Sequence, residues 1–115
     1  MDCIFCKIVS KEIPAKIVYE NDYVVAFYDI NPAAAEHILI IPKKHISDID
    51  HISDADRDIS AALFTAAREI AKLKNMQDDG YRVIINNGKA AGQVVFHLHL
   101  HLLGGEKTLG PMLSL

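Results

Sequence analysis

The segment Phe96-His97-Leu98-His99-Leu100-His101-Leu102 alternates without a break between apolar side chains and imidazoles. In an extended strand successive side chains leave on opposite faces, so His97, His99 and His101 share one face while the leucines bury the other. At about 3.3 Å of rise per residue, neighbouring histidines stand roughly 6.6 Å apart, close enough for one ligand to touch two. A solvated polar face would be served as well by Thr, Lys or Glu, whereas imidazole is selected for titration near neutrality, nucleophilicity or metal binding. A metal held by all three rings is one reading. The glycines of Asn87 to Gly92 offer another, because such a loop can turn several backbone N–H groups toward an anion, which makes phosphate the more natural ligand.

The rest of the chain supplies a sheet for this strand. Two β-branched and aromatic runs between Lys16 and Asp29 are interrupted by Glu20-Asn21-Asp22, which reads as a hairpin. His37-Ile38-Leu39-Ile40-Ile41 reads as a buried third strand stopped by Pro42, which cannot donate to a ladder. From Ser53 the apolar residues Ile59, Ala62, Leu63, Ala66, Ala67, Ile70 and Leu73 fall at helical spacing, with Ser53 and Asp56 placed as a capping box. Tyr81 to Asn86 is a fourth strand, and Gln93 to Leu103 a fifth. The tail from Gly104 to Leu115 has no periodicity. The order β, β, β, α, β, β lacks the alternation of parallel βαβ folds and predicts an α+β fold with an antiparallel sheet under one main amphipathic helix.

A length of 115 residues predicts a single domain over 1–115, and half the residues are hydrophobic, enough to bury a core. The net charge is -3, and the longest basic run is Lys43-Lys44, so no surface for a nucleic acid polymer is expected. The longest apolar runs fall far short of the ~20 residues a spanning helix needs, which excludes insertion in a membrane by that route. The N-terminus has no basic leader ahead of an apolar run, so the expected location is cytoplasmic, with reduced thiols. In that setting Cys3-x-x-Cys6 reads as half of a tetrahedral zinc site, as a redox pair, or as two buried thiols. No βαβ unit surrounds it, which weighs against the redox pair.

The stretch Gly92 to Gly105 around the alternating histidines resembles the signature of the histidine triad (HIT) family, in particular its HINT-like nucleoside phosphoramidase branch. The segments Glu12-Ile13-Pro14-Ala15-Lys16, Ala26 to Ile30, His37 to His45 and Tyr81-Arg82-Val83 resemble that branch in order and spacing. The resemblance implies a five-stranded antiparallel sheet, a short N-terminal helix beside the main one, and a homodimer whose sheets join edge to edge. It implies hydrolysis of the P–N bond of purine nucleoside 5′-phosphoramidates, or of related adenylates, through a nucleotidyl-histidine. Cleavage of dinucleoside polyphosphates and a nucleotide-binding scaffold with little turnover are the alternatives.

By the same resemblance His99 is the nucleophile, oriented by the His97 carbonyl, with His37 nearby. His101, Asn86 and Gln93 hold the phosphate oxygens, and Asp29 receives the ribose hydroxyls. Ile4, Phe5, Ile8, Phe27 and Ile30 line the purine pocket for a nucleotide such as AMP or GMP. In zinc-containing members the two cysteines are joined by histidines at the positions of His45 and His97, a structural site. Two departures stand out: Val94 occupies a position that is Ser in many phosphoramidases, and the tail from Glu106 to Leu115 carries no aromatic. His51 matches nothing and reads as a surface residue.

Overall fold

The computed structural model describes residues 3–113. Ser114 and Leu115, read above with the tail, lie outside them. The elements in chain order are α1 (Ile4–Val9), β1 (Ile17–Glu20), β2 (Val24–Tyr28), β3 (Glu36–Pro42), α2 (Arg57–Leu73), β4 (Arg82–Ile84) and β5 (Leu100–Gly104). All five strands pair antiparallel in the order β1-β2-β3-β5-β4. The final strand therefore enters between β3 and β4, and His101 sits in the interior of the sheet opposite Leu39 on one side and Ile84 on the other.

Both faces of the sheet are covered, which explains why β3 is apolar at nearly every position instead of alternating. On one face Val24, Ala26, Ile38, Ile40, Leu100 and Leu102 pack with Leu98 against Leu63, Ala66, Ala67, Ile70 and Ala71 of α2. On the other, Val25, Phe27, Leu39 and Ile41 pack against Cys3, Phe5 and Ile8. The short helix α1 covers only part of that second face, and the histidines occupy the remainder.

The hairpin forms where expected because Asn21 Oδ1 accepts from the N–H groups of Tyr23 and Val24, closing the turn. The entry to α2 also follows the sequence. Ser53 donates its N–H and its hydroxyl to Asp56 Oδ2, and Lys44 Nζ donates to Asp56 Oδ1 at 2.7 Å. These donors, Lys44 first, hold the Asp56 carboxyl below its usual range. The regular helix starts at Arg57, after a single 3-10 turn over Asp54–Asp56.

Two boundaries and the burial of one residue differ from the sequence reading. β4 is three residues long, not the six from Tyr81 to Asn86. β5 begins at Leu100, so Gln93 to His99 lie outside the ladder. Their backbone groups find other partners, as when Leu98 N–H donates to the Ile46 carbonyl at 2.6 Å. Leu73, counted on the buried stripe of α2, is 62% exposed because it ends the helix beyond the edge of the sheet core.

Ile70, fully buried at the centre of the α2 face, should lose about 2–5 kcal/mol of stability as Ile70→Ala, while Leu73→Ala should change it by less than about 0.5 kcal/mol. Urea unfolding of the two variants measures both.

Candidate active site

Although β5 starts late, the alternation survives. Leu98, Leu100 and Leu102 all belong to the core under α2, and the three histidines face the α1 side. His97 is fully buried, His99 nearly so, and His101 is half-buried. The rings of His99 and His101 lie 5.0 Å apart between centroids, and those of His101 and His37 5.2 Å.

His97, His99 and His37 are each held in one tautomer by a backbone group, and His37 in turn sets His101. Pro42 O lies 2.8 Å from His97 Nε2; a carbonyl can only accept, so Nε2 carries the proton and Nδ1 is bare. His99 Nδ1 likewise donates to the His97 carbonyl at 2.8 Å, which leaves Nε2 as the nitrogen free of that bond. On His37 the sense is reversed, because the Ala33 N–H donates to Nδ1 at 3.0 Å. The proton of His37 is thereby placed on Nε2, which donates to His101 Nδ1 at 2.9 Å, with Asp29 Oδ2 3.5 Å from the same nitrogen. His101 must then carry its own proton on Nε2. The outcome is an acceptor on His99 Nε2 beside a donor on His101 Nε2.

Two clusters of metal-ligating type lie among the described residues, Cys3/Cys6/His45/His97 and Asp29/His37/His101. They differ in where their lone pairs point. In the second, the Ala33 amide forces a proton onto the nitrogen that a metal would need, so this is a proton-bridged pair. In the first, the bare His97 Nδ1 stands 3.4 Å from Cys3 Sγ, 3.6 Å from Cys6 Sγ and 3.2 Å from His45 Nδ1, and Cys6 Sγ is 3.3 Å from His45 Nδ1. A tetrahedron with Zn–S of about 2.3 Å and Zn–N of about 2.0–2.1 Å has S···N edges of about 3.5 Å and N···N edges of about 3.3 Å. Four edges of such a tetrahedron already stand near those lengths, and all four ligand atoms lie within 4.8 Å of one another. The Pro42 carbonyl on Nε2 is the kind of outer contact that orients a ligating imidazole. Burial and the adjacent Cys3 thiol hold the Cys6 thiol above its usual range, an effect that a central cation would oppose.

The remaining expected residues are placed unevenly. Asp29 opens the turn at Asn31, accepting its N–H on Oδ1 at 2.8 Å, and turns its second oxygen to His37. Asn86 is half-buried beyond the end of β4. Phe5, Ile8 and Phe27 are core residues, with the Phe5 and Phe27 rings 5.6 Å apart edge to face, whereas Ile4 is exposed and Ile30 is 92% exposed. Gln93 is not the free donor expected of it: Nε2 donates to the carbonyls of Ser47 and Val95, and Oε1 accepts from Gly88 N–H. The glycine loop is likewise no open nest. Gly88 and Gly92 do take positive φ, but the N–H groups of Ala91, Gly92 and Gln93 bond to carbonyls within the loop, which closes on itself. Val94 is fully outward and brings no polar group. His51 is exposed as expected, and its pKa is raised by the bond to Asp48.

Sequence reasoning missed the groups that fix the tautomers, the Pro42 carbonyl and the Ala33 amide, because backbone atoms carry no residue identity. It also missed Glu106, whose Oε2 accepts from Ala35 N–H at 2.7 Å and ties the tail to the loop that presents Ala33.

Residues 10–108 match the family model described as HIT domain. The purine nucleoside phosphoramidase of Escherichia coli (strain K12) is 45% identical over 113 residues, covering 98% of this chain and 94% of that protein. A histidine triad protein from Clostridium difficile superposes with a TM-score of 0.92 at 47% identity, covering 99% of this chain and 97% of that one. A Zn-bound histidine triad family protein from Mycobacterium smegmatis does so with a TM-score of 0.82 at 36% identity, covering 99% and 81%.

Burial lowers the His101 pKa to about 4, with the charges of His99 and His37 adding to the effect and Asp29 opposing it. The unfolded chain, with an ordinary histidine value of 6.5, binds more protons in between, so this contribution is present above pH 6.5 and lost as pH falls through 4. Comparing urea melts at the two pH values, wild type should lose roughly 1–2 kcal/mol more than His101→Asn, a figure reduced for the ring's partial exposure.

Proposed function

The chain belongs to the HIT domain family, and on that premise we propose that it is a nucleotide hydrolase cleaving purine nucleoside 5′-phosphoramidates, or related adenylates, to the nucleoside monophosphate. The observation that carries this reading is the bond from His99 Nδ1 to the His97 carbonyl, which leaves the lone pair of the neutral ring on Nε2. In this reading Nε2 attacks the α-phosphorus as the P–N bond breaks, the amine leaves carrying a proton taken from solvent, and a nucleotidyl-His99 forms. Water then attacks the same phosphorus, its protons passing to solvent, and the monophosphate leaves the neutral imidazole behind. Splitting the displacement in two lets an activated P–N bond on the enzyme replace a stable one in the substrate.

His101 serves as a hydrogen-bond donor and not as an acid, since a ring with a pKa near 4 is neutral at working pH and offers only its Nε2–H. That donor lies beside the nucleophile, where negative charge grows on the phosphoryl oxygens. His37 keeps it in place, and Asn86 is a second donor. Gln93 acts by bracing the loop. Asp29 retains acceptor capacity for the ribose diol. Ile4 and Ile30 offer apolar surface at the rim for the purine of AMP or GMP, over the Phe5, Ile8 and Phe27 cluster.

Cys3, Cys6, His45 and His97 hold one zinc ion in this proposal, supported by their edge distances and by the Zn-bound relative. The ion would supply a redox-inert tetrahedral link between the N-terminal segment and the sheet. Cysteines that hold a metal and are not joined as a disulfide fit a reducing cytoplasm. The short outer strand β4 suits pairing with a second copy to form a homodimer, for which sedimentation at micromolar concentration should give twice the chain mass.

With adenosine 5′-phosphoramidate as substrate, His99→Ala should lower turnover by at least about a thousandfold while nucleotide binding survives. Acid-quenched wild type should carry a monophosphate adduct that mass spectrometry maps to His99. Substantial turnover by the variant would refute the assignment.

A further inference from the structure

We propose that Cys3, Cys6 and His45 are positioning residues for the His99 nucleophile, acting through His97, beyond their service in tying down the N-terminal segment. The inference rests on the reading of His99 as nucleophile and of the four-residue cluster as a metal site. Three independent features of the structure lead to it.

His97 is engaged on three sides. Its carbonyl receives the His99 Nδ1–H, its Nε2–H reaches the Pro42 carbonyl, and its bare Nδ1 faces the two sulfurs and His45. Whatever fixes the ring of His97 therefore fixes the peptide that orients His99.

The nucleophile also lacks the support of the sheet. Since β5 begins at Leu100, no ladder bond holds His97 to His99, and their backbone is tied by Leu98 N–H to the carbonyl of Ile46, the residue next to His45. Both strands of backbone that locate His99 thus pass through the cluster, one at His97 and one at His45.

The third feature is Phe5, between the two cysteines on α1. Its ring stands edge-on to His99 at 5.2 Å and 88°, and to His97 at 5.9 Å. The helix that presents the sulfurs also walls the nucleophile.

These contacts have little to hold them together by themselves. His97 Nδ1 has no proton, and a thiol is a weak donor, so a cation at the centre is the partner that four converging sulfur and nitrogen atoms lack. Without it the ring keeps its bond to Pro42 but loses the restraint on its Nδ1 side, so the His97 peptide is held less firmly and the His99 tautomer is less sharply set.

The test compares wild-type holoprotein with Cys6→Ser and Cys6→His, measuring zinc per chain, far-UV circular dichroism, kcat and KM for adenosine 5′-phosphoramidate, and the ¹⁵N signature of the His99 ring. Wild type should carry one zinc per chain with the His99 proton on Nδ1. Cys6→Ser should lose the zinc, keep its fold and a KM within about twofold, drop about 10- to 100-fold in kcat, and show mixed His99 tautomers. Cys6→His, which restores a ligand, should recover zinc, kcat and the single tautomer together. If Cys6→Ser does not fold, stripping zinc from wild type with a chelator and adding it back should switch the His99 signature and kcat reversibly. Loss of zinc with kcat and tautomer unchanged would overturn the proposal, as would wild type that takes up no zinc. Neither outcome touches the nucleophile assignment, which fails separately if no adduct forms on His99.

Discussion

One peptide group organises this site. The His97 carbonyl accepts the His99 Nδ1 proton, and the orientation of that carbonyl is inherited from a ring buried among Pro42, two sulfurs and a second imidazole. An imidazole has two nitrogens of nearly equal basicity and no intrinsic preference about which one faces a substrate. The protein resolves that ambiguity with backbone carbonyls and amides, whose donor or acceptor character cannot change with pH.

The same logic, run with the opposite sign, builds the neighbouring donor. An amide from Ala33 fixes His37, and His37 fixes His101. The two chains of bonds converge from different parts of the fold, one from the start of β3 and the loop before it, the other from the end of β3 at Pro42 and the segment around Ile46. They meet as a lone pair beside an N–H. Burial reinforces this by keeping His101 uncharged, so that the donor does not become a competing cation.

The sequence made the faces legible but not the ladders. Strict alternation from Phe96 to Leu102 correctly assigned leucines to the α2 core and histidines to the other side, because that division depends only on an extended backbone. Where hydrogen bonding begins depends on what lies alongside, and the residues before Leu100 find Ile46 and the Gln93 loop instead of a strand. The capping box at Ser53 and the turn at Asn21 were readable since they are local. The glycine loop misled for the opposite reason: its glycines do take positive φ, but the destination of each amide is a tertiary fact, and here the loop consumes its own donors in place of presenting them to an anion. The four-residue Cys and His cluster came from likeness to a family, and its tetrahedral spacing could emerge only in three dimensions.

The strand order has a consequence for synthesis. With β5 seated between β3 and β4, the sheet has a gap until residue 104 has left the ribosome, and a nascent chain that has already made α2 must keep the flank of β3 open in the meantime. Such a flank is an invitation to stray pairing, and the contacts that close it span sixty residues or more, which slows folding. Catalytic competence is thus the last thing the polypeptide acquires, and a stalled or prematurely ended chain would accumulate as a sticky, inert intermediate.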